Sequence, residues 1–497
     1  MHSHASPHTD PAAWLAELAQ RHPDRLFLRT SAGQRVTYGA MTRLVDRIAA
    51  ALTQRAVQPA DRVVAQVEKS PEAIALYLAC LRVGAVFVPL NTAYTTAEVE
   101  YFLGDADPKI AVGVASGGVS LSDLASNESA AARAPAGMQQ SDLAALLYTS
   151  GTTGRSKGAM LTRANLATNA ITLAQAWRFT ANDVLLHALP IFHVHGLFVA
   201  INTVLACGCS MLFLSKFDAD EVVRLLPGAT VMMGVPTFYT RLLQHPAFTR
   251  DAAANIRLFV SGSAPLLAET HREFRERTGH AILERYGMSE TLMNTSNPYD
   301  GERIAGSVGP ALPGVEVRIA DPESGMPLPE AGTVGMIEVR GPNVFGGYWR
   351  MPEKTAAEFR KDGFFITGDV GRLDRQGYLF IVGRAKDLII SGGFNVYPVE
   401  VETELDALNG VAESAVIGVP HPDFGEGVTA VVVPRAGATL EESVLRAALE
   451  RRLAKFKLPK RIVFVREMPR NAMGKVQKAE MRQRYRDLYN PDTKESG

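Results

Sequence analysis

Short apolar runs alternate with amphipathic helical stretches through most of the chain, the pattern of α/β layering rather than of a sandwich or a helical bundle. Arg62–Val67 reads as a strand; Ser70 then caps a helix whose first position is Pro71, and Val86–Leu90 returns as a strand, which completes one βαβ unit. The pattern recurs at Leu143–Thr149, Val184–Leu189, Thr230–Val235 and Ile256–Val260, each leading into a polar or Gly-rich loop and then into helical periodicity. Parallel strands that present their carboxyl ends to one crevice place a ligand there. The longest apolar run, Gly196–Cys207, predicts a buried helix, since it is too short to span a bilayer and contains Asn202 and Thr203. Residues 113–140 are rich in Ala, Gly and Ser with little periodicity and read as a solvated connection.

Shorter strands and turns follow further on, at Gly314–Ala320 and Thr333–Arg340, and predict a β-rich subdomain. The charged tetrapeptide Arg384–Asp387 interrupts the pattern, and the remaining residues carry strands and helices of their own. The expected organisation is therefore a large N-terminal domain, residues 1–385, of layered α/β sheets plus the β-rich subdomain, and a small mobile α+β C-terminal domain, residues 386–497.

Composition narrows the functional class by exclusion. A chain of 497 residues is long enough for a sizeable core and at least two domains. With 46% hydrophobic and 21% charged residues it is neither disordered nor fibrous. Lys and Arg total 52 and so do Asp and Glu, so no global field draws the protein to nucleic acid or to a membrane surface. Cys80, Cys207 and Cys209 are too few and oddly numbered for a disulfide framework, which fits a reducing, cytoplasmic compartment. Met1–Asp10 has three His and no apolar core region, unlike a secretory signal.

The richest chemistry lies in Tyr148-Thr-Ser-Gly-Thr-Thr-Gly-Arg-Ser-Lys-Gly158, directly after an apolar strand. Gly151, Gly154 and Gly158 let the backbone turn its N–H groups inward. Thr149, Ser150, Thr152 and Thr153 add hydroxyl donors, and Lys157 supplies a mobile cation. Such a loop suits polyphosphate. It is not a Walker A loop, which would need Gly at Ser156 and a hydroxyl residue at Gly158.

This loop resembles the phosphate loop of the adenylate-forming superfamily, which comprises acyl- and aryl-CoA synthetases, peptide-synthetase adenylation domains and beetle luciferases. Ser261-Gly-Ser-Ala-Pro265, Tyr286-Gly-Met-Ser-Glu290, Tyr348-Trp, Thr367-Gly-Asp369, Gly383-Arg-Ala-Lys-Asp387 and Pro469-Arg-Asn-Ala-Met-Gly-Lys475 follow in the family's order and spacing. The resemblance implies an AMP-forming acyl-CoA synthetase that joins a carboxylate to the α-phosphorus of ATP and then passes the acyl group to CoA, with Mg²⁺ on the phosphates. By the same resemblance Glu290 holds Mg²⁺, Ser289 contacts the α-phosphate, and Ser263, Ala264, Pro265 and Glu284, Arg285, Tyr286, Gly287, Met288 surround the nucleotide, with Tyr286 stacked on adenine between the Gly262–Pro265 segment and a Glu284–Gly287 turn. Asp369 and Arg384 resemble the ribose-binding pair, and Lys475 the adenylation lysine. Lys386 matches the hinge about which the C-terminal domain rotates, bringing Ser391, Gly392 and Gly393 to the pantetheine arm of CoA. The resemblance also implies Lys475 as a target for a lysine acetyltransferase.

Acyl specificity rests on fewer residues. Phe192-His-Val-His-Gly196 resembles the segment lining the acyl pocket, with His193 at the gate and His195 making the pocket polar. Arg285 stands where synthetases of apolar acids carry a small or neutral residue, and Arg241 lies on a helix opened by Pro236. Two arginines and two histidines suit a substrate with a second carboxylate. Together these segments resemble the malonyl-CoA synthetases, which implies malonate, with methylmalonate tolerated; the alternative is a short monocarboxylic or aryl acid.

Overall fold

The computed structural model describes residues 10–114, 117–128, 137–149, 156–471 and 474–490. By compactness the chain divides into two units. One holds residues 1–266, 270–317 and 339–365; the other holds 267–269, 318–338 and 366–497. Asp369 and Arg384 thus belong to the same unit as Lys475.

Two sheets organise the first unit. In the eight-stranded sheet, six parallel strands run in the order Leu283–Met288, Leu258–Ser261, Val231–Gly234, Val184–His187, Ser210–Phe213 and Leu26–Thr30, and an antiparallel strand closes each edge, Leu292–Ser296 beside the first and Arg35–Thr37 beside the last. The five-stranded sheet runs Ile110–Val112, Arg62–Ala65, Val86–Pro89, Leu143–Thr149 and Lys157–Thr162, with only the last strand antiparallel. The central strands are buried on both faces, which is why they read as apolar runs rather than as alternating ones. The predicted βαβ unit is present: Ser70 accepts from the Ala73 N–H, Pro71 opens the helix Pro71–Val83, and Gly84 closes it in the left-handed conformation.

Three expectations are corrected in detail. The connection 113–140 contains a short helix, Leu121–Ala125, anchored by the fully buried Leu124. The phosphate loop does not lead straight into a helix; it joins two antiparallel strands, and the helix Arg163–Ala176 begins only after the second. The segment Glu284–Gly287 is not a turn but part of a strand, with Tyr286 opposite Thr295. The apolar run 196–207 is a buried helix as expected, yet its first part, His195–Ile201, is π-helical before α-helix resumes at Asn202–Cys207.

The second unit contains most of a four-stranded sheet, in the order Glu316–Ala320, Gly335–Arg340, Phe365–Leu373 and Leu379–Arg384. Its other sheet pairs the long strands Val411–His421 and Gly425–Pro434 and adds Ile389–Ser391, Phe394–Val396 and Arg461–Phe464. One face buries Val416, Val428, Ala430 and Val432 together with Leu405 and Leu449 of two helices; the other buries Ile417, Val419 and Val431 with Met481. This is the expected fold class, layered α/β with a small α+β C-terminal part. No helix among the described residues is long and apolar enough to cross a membrane. All three cysteines are free and buried.

Candidate functional site

The phosphate loop spans a hairpin in which Thr149 lies opposite Lys157. Ser150, Gly151, Thr152, Thr153 and Gly154 lie outside the described residues. At the base of the loop Lys157 is 6% exposed, with its Nζ 3.3 Å from Glu358 Oε1 and 4.3 Å from the centre of the Tyr348 ring. The Tyr348 hydroxyl sits between two carboxylates, 2.7 Å from Glu358 Oε2 and 3.2 Å from Glu290 Oε1, and Thr149 Oγ1 donates to Glu290 Oε1 at 3.3 Å. Its single proton can serve only one carboxylate at a time. Burial and then the neighbouring Glu290 push the phenol pKa far up. Burial alone would raise Glu358, but Lys354, Tyr348 and Lys157 outweigh it and hold its carboxyl below the ordinary range.

Backbone hydrogen bonds fix this group. Trp349 N–H donates to Gly158 and Phe345 N–H to Glu290. Glu290 itself lies at the tip of the hairpin formed by Leu283–Met288 and Leu292–Ser296, next to the half-buried Ser289. Sequence reasoning missed Glu358 and the bridging part played by Tyr348. The Tyr348-Trp motif marked the place, but nothing in the order of residues shows that Glu358 folds back onto Lys157.

A second group lies along the same strand. Alternation puts Arg285 and Gly287 on one face and Glu284 and Tyr286 on the other. Arg285 is 3% exposed, and its Nε and Nη2 have no hydrogen-bond partner among the described residues. Its guanidinium lies against the backbone that leaves the neighbouring strand: a Cβ on Gly262 would be 2.4 Å from Arg285 Cζ and would displace the guanidinium. The next residue, Ser263, is held at φ +72, a strained conformation of the kind that clusters at binding sites. Ser263 Oγ is 3.3 Å from His195 Nδ1, while His195 Nε2 is buried without a partner.

Burial, then Arg285, keeps the His195 pKa well below its ordinary value, so the ring is neutral. Burial pushes Arg285 down to about 9 and Glu284 up to about 8. A guanidinium stays charged at neutral pH in any case, whereas burial favours the neutral form of the Glu284 carboxyl. Glu284 lies on the opposite face of the strand, its Oε1 accepts from the Leu266 N–H, and it makes no hydrogen bond to Arg285 among the described residues. His193 is half-buried and its Nδ1 accepts from the His195 N–H at 3.3 Å. Arg241 is exposed in the last turn of the helix Pro236–Gln244.

The third group belongs to the second unit. Asp369 and Arg384 face each other across adjacent antiparallel strands, with Arg384 Nε 2.8 Å from Asp369 Oδ1. Lys475 lies in a turn held by Arg470, which donates to Gly474 O at 2.6 Å and pairs with Glu413. The crowding of protein around the Lys475 ammonium, then Arg384, pushes its pKa down to about 8, although the side chain retains access to solvent. Lys386 sits in a short 3₁₀ turn, Ala385–Asp387. Ser391, Gly392 and Gly393 form a tight hairpin whose two glycines both have positive φ, with Ile390 and Phe394 exposed beside them.

The AMP-binding enzyme family matches residues 15–349, and the AMP-binding enzyme C-terminal domain matches residues 400–475. The chain is 36% identical to a feruloyl-CoA synthase of an Amycolatopsis species, over 95% of this chain and 98% of that one. It is 35% identical to a malonate–CoA ligase of Arabidopsis thaliana, over 80% and 74%. Among solved structures, ATP-bound MatB of Rhodopseudomonas palustris superposes with a TM-score of 0.92 at 56% identity, covering 97% of this chain and all of that one.

The bridging hydroxyl has a measurable weight. Tyr348→Phe keeps the ring under Lys157 but leaves Glu290 and Glu358 without the donor between them. Unfolding free energy should fall by about 1–3 kcal/mol at unchanged denaturant slope. In a double-mutant cycle with Glu358→Gln most of that loss should appear as coupling; additive losses would mean the two groups do not interact.

Proposed function

We propose, for a chain that belongs to the AMP-binding enzyme family and is an AMP-forming acyl-CoA synthetase, that the acid it activates is malonate. The observation that carries this reading is the buried Arg285 guanidinium, with two N–H-bearing atoms unpartnered beside a neutral His195. A monocarboxylic acid presents one anionic group, and the chemistry consumes it. The distal end of such an acid would leave Arg285 buried and unpaired, whereas a second carboxylate pairs with it. The likeness to the malonate–CoA ligase and to MatB supports the same choice; the feruloyl-CoA synthase shows that the wider family also takes aryl acids.

In this reading one carboxylate of malonate attacks the α-phosphorus of ATP, pyrophosphate leaves, and the CoA thiolate then displaces AMP from malonyl-AMP to give malonyl-CoA. Methylmalonate, which differs by one methyl group, is turned over as well. Ser289 and the phosphate loop bind the phosphates, Asp369 accepts the ribose hydroxyls beside Arg384, and Tyr286 lies on the adenine. Lys475 stabilises the charge that shifts during adenylation, since a cation held near the reacting oxygens costs little reorganisation. Glu290 and the neighbouring hydroxyls form an all-oxygen donor set that suits a hard cation, and Mg²⁺ there would neutralise phosphate charge. Residues 386–497 then move about Lys386, taking Lys475 away and presenting the Gly392–Gly393 turn to pantetheine; Gly393 has nothing within 4 Å of the position of an added Cβ.

Acid-dependent pyrophosphate release, measured with malonate, methylmalonate, succinate, acetate, butyrate and benzoate, tests the assignment. Arg285→Met should lower kcat/KM for malonate by about two orders of magnitude or more, as expected when a buried charge pair is lost, while ATP affinity stays intact. Arg241→Ala, measured alongside, shows whether the exposed arginine takes part. Equal turnover of acetate and malonate by the wild type would reject malonate as the substrate.

Lys475 gives a pH signature. The ammonium is present below its pKa and lost above it, so kcat/KM for adenylation should fall as pH rises through and beyond about 8. Thioesterification of supplied acyl-AMP should not follow this limb. A Lys475→Ala enzyme that lost neither reaction would remove the lysine from the mechanism.

A further inference from the structure

The buried helix that carries His195 begins with seven π-helical residues, His195–Ile201, before regular α-helix resumes. Such turns are rare and are found frequently at functional sites. A side chain from outside is bonded to this one: Nε2 of His187, the last residue of the strand Val184–His187, lies 2.8 Å from Gly196 O, inside the first π turn. Gly196 is held there by space, because a Cβ would lie 2.0 Å from Pro190 O.

The other nitrogen of the ring is also engaged. Lys69 Nζ is 2.8 Å from His187 Nδ1 and 3.0 Å from His187 O, and it stands 4.4 Å over the Phe213 ring. The directions of these bonds follow from chemistry. Gly196 O can only accept, so Nε2 carries the proton. Burial, then Lys69, keeps the His187 pKa well below its ordinary value, so the ring is neutral and Nδ1 has a lone pair. Lys69 therefore donates. Burial also depresses the Lys69 pKa, with no carboxylate contributing. Lys69 comes from the loop after the strand Arg62–Ala65 of the five-stranded sheet, whereas His187 ends a strand of the eight-stranded one.

We propose that Lys69 and His187 are positioning residues for the acyl pocket: the chain Lys69 Nζ–H to His187 Nδ1, and His187 Nε2–H to Gly196 O, holds the π turn and thereby aims His195 at Ser263 and Arg285. Neither residue touches substrate. The pair is bound to the entrance of the helix at Gly196, and the preceding residue, His195, meets Ser263 Oγ, its Nε2 having no partner among the described residues. The proposal rests on the reading of the His195–Arg285 group as the acyl pocket. It does not depend on which acid fills it.

Lys69→Met keeps the length of the side chain and removes the donor. It should raise KM for the carboxylic acid by roughly ten- to a hundredfold, the scale of a small misplacement, and leave KM for ATP within about twofold of wild type. His187→Gln, whose amide can accept from Lys69 and donate to Gly196, should rescue most of the acid KM, whereas His187→Leu should match Lys69→Met.

Nitrogen-15 spectra of the full-length enzyme give a readout independent of turnover. Wild-type His187 should show a protonated Nε2 and a hydrogen-bonded, unprotonated Nδ1, and the His195 signals should shift in Lys69→Met. Should His187→Leu fail to fold, Lys69→Met and His187→Gln carry the test. Unchanged acid KM together with unchanged His195 signals in Lys69→Met would overturn the proposal. A wild type that prefers another acid, yet shows these same effects on that acid's KM, would reject malonate and keep the relay.

Discussion

Arg285 is a full charge, 3% exposed, and burial pushes the carboxyl of the adjacent residue, Glu284, toward its neutral form. An unpaired buried ion costs several kcal/mol even after relaxation. The structure around it is arranged to sustain that cost. Gly262 gives up its side chain so that the guanidinium can lie on the backbone, Ser263 accepts a strained φ, and His195 is kept neutral so that no second cation competes. Tyr239, Phe259 and Phe274 form a fully buried aromatic group in the same unit, each ring edge-on to the others. On the proposed reading, an anion that relieves this unsatisfied cation gains affinity over one that cannot.

The phosphate side has the opposite arrangement. Lys157, Lys354, Glu290 and Glu358 form a compact set of two cations and two anions around one phenol, so that group is close to neutral by itself. On the proposed reading a nucleotide exchanges partners there, taking Lys157 from Glu358, whereas an acid beside Arg285 meets a cation with free donors. One member of each group, Glu290 and Arg285, belongs to the same hairpin.

Much of this was legible in the chain. Apolar runs located the central strands to within a few residues, Ser70-Pro71 set a helix start, and the motifs brought Glu290, Asp369, Arg384 and Lys475 to notice. Local order could not show what depends on packing. The strand after the phosphate loop, Lys157–Thr162, is polar at its start and reads as loop until Tyr348 and Trp349 are seen strapped against it. Glu284–Met288 carries charge and glycine, which argues for a turn, yet its antiparallel pairing with Leu292–Ser296 holds it as a strand. Periodicity likewise finds a helix at 196–207 but not its π turn, whose Gly196 carbonyl is bonded by a histidine from a separate strand.

The hairpin that ends at Glu290 also carries Arg285, and that sharing has a geometric result. A strand is stiff along its axis, advancing about 3.4 Å per residue, so the three steps from Arg285 to Met288 set a span of roughly 10 Å toward the tip. Arg285 and the tip at Glu290 are thus spaced by one hairpin rather than by two independent loops. On the proposed reading both ends of the acid are gauged against that same piece of backbone, and one more methylene would displace the carboxylate that reacts instead of merely filling more space.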